Sequence, residues 1–366
     1  MLLSFSQIKK LDKVLLVAVL SLVMVGLLFI YGISRKGNLE IFQRQLIYVI
    51  LGLFLMFIFV SFDYRIFRDH NFILLGLYFF GLILLASVLL VGREIRGASS
   101  WLQIGELGFE PVELMKLVII LILAKYFSLR HIEVYRLRHL IISGLYVFFP
   151  LVLILLQPEL GYALVIILIW LSIVVIAGIN FKHILLLALI GAIIFSVSWF
   201  FLLQNYQIPK ERIISFLNPH SDPLGQGYNI IQSVITVGSG KIFGRGLGHG
   251  TQSQLNFLPE QHTDFIFATI AEEWGLLGSI FILALFGILF YRLVKVSLAS
   301  SNNFARLFSL GVAIMFLVQA IINIGMNIGL LPIIGIPLPF VSYGGSSMIM
   351  SFIALGIIQS IAVRNK

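Results

Sequence analysis

The stretch LPEQHTDFIFATIAEEWG, residues 258–275, sets three carboxylates at the mouth of a long apolar run. Read as a helix, Asp264, Ala268 and Glu272 step by four and share a stripe, while Glu273 falls on the opposite face. A rise of 1.5 Å per residue puts Glu272 about 12 Å from Asp264 along the axis, too far for a shared proton. Asp264 is therefore the expected working group, because a carboxylate beside an apolar wall suits a general base acting on a hydroxyl. The plainer role for an acid at a helix start is an N-cap, which Thr263 could fill equally well. Glu272 is expected as a buried pairing or gating residue close to substrate, and Glu273 as structural.

Other ionisable groups enter apolar stretches at similar depth. In GELGFEPVELMKL, Glu113 and Lys116 stand three apart on one helix face. Glu159 lies in the turn QPELG between two apolar runs. Ionisable residues inside membrane spans are rare and usually functional, so Glu113, Lys116, Glu159 and Asp264 are expected to converge on one cavity. Lys125 sits at the far end of its span, where snorkelling would explain it. The Gly-rich run VGSGKIFGRGLGHG, 237–250, lacks the spacing of a P-loop. It is expected either as a flexible or re-entrant loop, or as a backbone nest for phosphate oxygens helped by Lys241 and Arg245. His249 and His262 have no metal-ligand spacing.

The elements that must position these groups follow from composition. The chain of 366 residues is 60% hydrophobic and 11% charged, with mean hydropathy +1.05, against about 25% charged residues in soluble domains. Continuous apolar runs of about 20 residues are membrane helices rather than barrel strands. The expected fold is an all-α polytopic membrane protein of about ten transmembrane helices, near 14–33, 46–62, 72–92, 112–128, 140–156, 160–178, 184–204, 265–291, 305–328 and 343–363. Residues 1–366 form one transmembrane domain, with a long loop at about 205–263 between helices 7 and 8. The run at 14–33 is longer than a signal-peptide core and lacks a cleavage site. The absence of cysteine excludes disulfide and thiolate chemistry.

The net charge of +9 reflects Lys and Arg flanking the spans, not nucleic-acid binding. One set of connections, with both termini, holds fourteen Lys and Arg; the other holds nine, or five without the long loop. Both termini are thus expected to be cytoplasmic, and Asp264 and the long loop to face outward. A site on that side has no ATP supply.

Several motifs together resemble a known family: GASSWLQIG with EPVELMKL, QPELG, ERIISFLNPHSDPLGQGYNIIQS, VGSGKIFGRGLGHGTQSQLNFLPEQHTDFIFATIAEEWG, and LPFVSYGGSS. They cover almost the whole chain, which resembles the SEDS membrane glycosyltransferases of bacterial wall growth, the family of RodA, FtsW and SpoVE. Its short N-terminus and compact length are closer to the RodA type. The chain departs from the family pattern at Glu110, where Gln is frequent, at Val112, where Ser is frequent, and at Glu159, where Asp is common.

The resemblance implies a peptidoglycan glycosyltransferase that polymerises lipid II on the outer face of the cytoplasmic membrane, in cell elongation and shape maintenance. It implies Asp264 as the essential acid, Glu113 and Lys116 as a functional pair, and Glu159 at an acidic turn position. It also implies a class B penicillin-binding protein, a transpeptidase, as partner in a wall-elongation complex. In that reaction Asp264 would take the proton of the acceptor's 4-hydroxyl while undecaprenyl pyrophosphate leaves with inversion. The leaving group's charge needs cations, for which Lys116, Arg212, Lys241 and Arg245 are candidates. No cofactor is certain; a divalent ion, Mg2+ or Mn2+, is the one candidate, with Glu113 as a ligand or as the residue orienting Lys116. A lipid II flippase would instead place its charges near the bilayer midplane, and Glu272 alone favours that alternative. A non-catalytic scaffold of a wall-synthesis complex is the third reading.

Overall fold

The computed structural model describes residues 10–35, 39–95, 98–104, 107–129, 137–180, 182–183, 191, 215–221, 225–255 and 257–365. The expected span at 184–204, apart from residue 191, and Arg212 lie outside these residues.

The apolar runs fold as helices at the expected places. They are α1 (Lys13–Ser34), α2 (Glu40–Ser61), the short α3 (Arg65–Asp69) and α4 (Asn71–Val91). After a small sheet come α5 (Pro111–Ser128), α6 (Leu137–Leu156) and α7 (Leu160–Ala177). The long loop contributes α8 (Gln226–Ser239) and the single turn α9 (Thr251–Gln254), and the chain continues through α10 (Ile266–Leu298), α11 (Asn303–Asn327) and α12 (Gly345–Arg364). Eight of these helices are long and apolar enough to cross a membrane. The helix α5 carries Glu113, Lys116 and Lys125 and is a ninth by position, packed among α4, α6, α7, α11 and α12.

Burial explains that arrangement. Nearly every residue of α5 is buried, its three charged residues included, because five other helices surround it. By contrast α1, α2, α4 and α6 expose Val17, Met24, Phe54, Phe79 and Phe148, the side chains a bilayer would cover. Lys125 stands in the last turn of α5. Its residue is buried, and its Nζ finds no hydrogen-bond partner among the described residues.

At one end of the bundle the chain is tied by polar contacts. The Asp12 carboxylate caps α1 by accepting from Leu15 N at 3.0 Å and accepts from Arg292 Nη2 of α10 at 2.6 Å. Asp12 N donates to Gln359 Oε1 of α12 at 2.9 Å. The start of α1 and the end of α12 therefore lie at the same end.

The structure adds one element to the all-α expectation. Residues Arg93–Ile95, Ala98–Ile104 and Leu107–Phe109 pair as a three-stranded antiparallel meander, β1-β2-β3, that leads into α5. β1 and β3 have three residues each, too few for alternation to register, and β2, ASSWLQI, does not alternate strictly.

Candidate active site

The meander delivers the chain to Glu110, whose N–H donates to Ser346 Oγ at the start of α12 (2.9 Å). Pro111 then opens α5, a position where its missing N–H costs nothing. One turn on, Lys116 Nζ donates to Glu113 Oε1 at 2.7 Å, with the two side chains 0% and 4% exposed. The i, i+3 pair expected from spacing is formed and is shut away from solvent. Lys116 Nζ also lies 4.9 Å from the centre of the Tyr162 ring, and the Tyr162 hydroxyl donates to Glu110 Oε2 at 3.0 Å. Glu110, one residue ahead of the membrane helix, has its carboxyl pushed well above the usual range by burial, then by the Glu113 and Glu159 charges; Lys116 and the Tyr162 hydrogen bond oppose this. Glu159 stands just before α7, half-buried, close enough for its charge to act on Glu110.

Asp264 is held by its backbone. Its carbonyl accepts from Asn323 Nδ2 (3.0 Å) and Asn327 Nδ2 (2.9 Å), both on α11. Asn327 Oδ1 in turn accepts from Ala268 N at 3.0 Å. The helix α10 begins at Ile266 behind Phe265, with no side-chain cap, so Asp264 is not the N-cap. Thr263 Oγ1 donates to Glu260 instead. The stripe drawn from Asp264 through Glu272 therefore starts only at Ala268.

Two segments border both groups of residues. Ser342 Oγ donates to Thr263 O at 2.6 Å, beside Asp264, and Ser346, four residues later, receives Glu110. Across the way, a Cβ on Gly161 would sit 2.5 Å from Ile334 O, and one on Gly335 would sit 3.8 Å from Asp264 Oδ2. The LPFVSYGGSS motif and the loop before it thus join Asp264 to the Glu110–Glu113–Lys116–Tyr162 cluster at one end of the bundle.

The remaining acids serve the Gly-rich loop. Glu272 is fully buried. Its carboxylate accepts from Gln252 N (2.9 Å) and Ser253 N (3.0 Å) at the start of α9 and from Thr251 Oγ1 (3.4 Å). Glu273 accepts from Gly248 N at 3.0 Å. Glu272 is a pairing residue for protein backbone, and these contacts give it no substrate-facing part.

Of the two alternatives for this loop, a backbone nest for phosphate oxygens would have to do without several of its N–H groups, which are engaged within the protein. Arg245 N donates to Glu272 O (3.0 Å), Gly246 N to Glu273 O (2.9 Å) and Gly244 N to Gly240 O (2.8 Å). Glycines are needed here for close approach. A Cβ on Gly240 would lie 1.8 Å from Ala271 O, and one on Gly244 2.1 Å from Glu273 O. Lys241 and Arg245 are exposed on this loop; the Arg245 guanidinium donates to Thr251 Oγ1 at 2.9 Å and to Ser239 O at 3.3 Å.

Glu110, Tyr162, Asn323, Asn327, Ser342 and Ser346 are the parts that spacing missed. Asn323 and Asn327 offered a signal, two amides four apart within an apolar span. Among the described residues no group of three His, Cys, Asp or Glu could hold a metal ion.

Eight helices long and apolar enough to cross a membrane define a multi-pass membrane protein, with a polar cluster and the Asp264 carboxylate at one end of the bundle. The family described as "Cell cycle protein", of FtsW, RodA and SpoVE, matches residues 11–366. The chain is 36% identical over 356 residues to the peptidoglycan glycosyltransferase MrdB of Escherichia coli K12, covering 97% of this chain and 94% of that one. It superposes with a TM-score of 0.83, at 33% identity and 97% and 98% coverage, on a chain from a peptidoglycan synthase complex studied for its coordination of polymerization and crosslinking. The Thermus thermophilus rod shape determining protein RodA matches with a TM-score of 0.71, at 30% identity and 96% coverage of both. The chain belongs to the FtsW/RodA/SpoVE family.

Proposed function

We propose that the chain is a peptidoglycan glycosyltransferase of the RodA type, polymerising lipid II at the outer face of a bacterial cytoplasmic membrane. The observation that carries this reading is the single segment, Ser342 to Ser346, that binds the turn holding Asp264, at Thr263 O, at one end and the residue before the Glu113–Lys116 helix, Glu110 N, at the other. The relative named as a peptidoglycan glycosyltransferase supports the reaction.

In the proposed reaction Asp264 removes the proton from the acceptor sugar's 4-hydroxyl. The oxygen attacks the anomeric carbon of the donor, the C1–O bond to undecaprenyl pyrophosphate breaks, and configuration inverts once. Lys116, held by Glu113 and stacked on Tyr162, supplies fixed positive charge toward the leaving group. Glu159 lies beside the cluster as a substrate contact, and Lys241 and Arg245 are nearer the bilayer, where the lipid-linked phosphates travel. The same end of the bundle is the outward one, and both termini lie in the cytoplasm. The solved peptidoglycan synthase complex supports a transpeptidase of the class B penicillin-binding protein type as partner.

The test is polymerisation of labelled lipid II by the purified protein with its transpeptidase. Asp264→Ala should lower the rate by about 10²–10⁴-fold, the usual contribution of a general base. An unchanged rate would remove Asp264 from the chemistry.

A further inference from the structure

The Gly-rich loop is not an ordinary solvent loop, and its height on α10 can be measured along the helix. Gly275 (φ 66°, ψ −159°) interrupts α10. The stretch from Leu276 to Leu298 is roughly 34 Å long at 1.5 Å per residue, enough for a hydrocarbon core of about 30 Å. Two neighbouring helices give the same level. The Trp274 ring packs on Phe29 of α1 with centroids 5.0 Å apart, and Arg292 pairs with Asp12 at the other end. From Arg292 to Trp274, and from Asp12 to Phe29, the rise is about 26 Å on each helix. The kink therefore sits at the edge of the core, where tryptophan is at home.

The loop is fastened to that level. Leu276 N donates to Lys241 O (2.9 Å) and Leu277 N to Ile242 O (3.2 Å). Its tip presents Ile242, Leu247 and Phe243, the last 79% exposed. The tip continues the exposed apolar face of Leu276, Leu277, Ile280 and Phe281 on α10. Lys241 and Arg245 flank the apolar tip, and an open cavity of about 480 Å³ runs along Ser239 to Arg245. An apolar wedge between two cations at the core boundary matches lipid, with acyl chains below and phosphates beside it.

We propose that the loop 241–247 is an interfacial anchor. It seats Ile242 and Phe243 in the lipid leaflet at the Asp264 end of the bundle, with Lys241 and Arg245 against lipid phosphates. The proposal is independent of the enzymatic reading, since it concerns where the loop rests and not what is polymerised.

The chain has no cysteine, so Phe243→Cys creates a unique labelling site. The full-length variant carries an environment-sensitive fluorophore and is placed in phosphatidylcholine vesicles, with Leu276→Cys as the lipid-facing reference. Nitroxide-bearing lipids should quench the label at 243 within about twofold of the reference, and aqueous iodide should barely reach it. Strong iodide quenching, or shielding from both quenchers as a second copy or a protein partner would give, overturns the anchor. Replacing part of the lipid with phosphatidylglycerol should increase lipid quenching at 243 by about twofold. That response should vanish in the Lys241→Gln/Arg245→Gln background. An equal response with and without the two cations overturns the phosphate contact.

Discussion

Lys116 stands at a position with no solvent exposure, so its neighbours decide what placing a lysine there costs. Glu113 neutralises it at 2.7 Å, and the Tyr162 ring faces it. Removing one member of such a buried pair strands the other, at a cost of about 3–5 kcal/mol. Glu113→Gln is therefore expected to lower the thermal unfolding midpoint markedly in detergent. Glu113→Gln/Lys116→Gln should recover most of that loss while lipid II polymerisation stays lost, which separates the stabilising role from the chemical one. If the double variant is as unstable as the single one, the pair is not the reason for the loss. At this scale the sequence was informative where spacing along one helix sufficed, as for Glu113 and Lys116. It was silent on Glu110, because the partners of that residue, Tyr162 and Ser346, come from two other helices.

Among the elements, the Gly-rich loop and α10 act as one piece. The glycines permit backbone to lie on backbone, and Glu272 and Glu273 close the seam by accepting the N–H groups of residues 248, 252 and 253. Gly244 combines a left-handed φ of 78° with a contact that a Cβ would violate, so Gly244→Val is strained on both counts. It should detach the loop and raise backbone amide exchange over residues 240–255 at least tenfold, with the rest of the bundle protected as before. Protection unchanged in that loop would mean the seam does not hold it. Composition alone could not disclose this seam, since a run of glycines signals a turn, a nest or a close approach equally well, and only the facing backbone decides. The spans themselves were legible, because twenty apolar residues in a row leave little else to be. The meander before α5 was not, because two of its strands have three residues and the third, ASSWLQI, does not alternate strictly.

For the molecule as a whole, the contacts of Asp12 fasten three helices at the end far from Asp264. The carboxylate caps α1, meets Arg292 of α10, and its residue exchanges hydrogen bonds with Gln359 of α12. Asp12→Asn keeps a capping oxygen but deletes the charge facing Arg292. It should lower the unfolding midpoint measurably while the polymerisation rate of the folded fraction stays within about twofold. A large rate loss at full stability would instead tie this end of the bundle to the chemistry.

The joint at Ser342 and Ser346 has a consequence for how the protein comes to exist. Ribosomes deliver Glu110, Tyr162 and Asp264 in that order, and the serines that brace them against one another arrive after all three. Until α12 threads into the bilayer beside α2, the carboxylate and the ion pair belong to separate halves. If these residues form the proposed site, a chain released before Ser346 should fail to polymerise lipid II, and activity should first appear once α12 is in place.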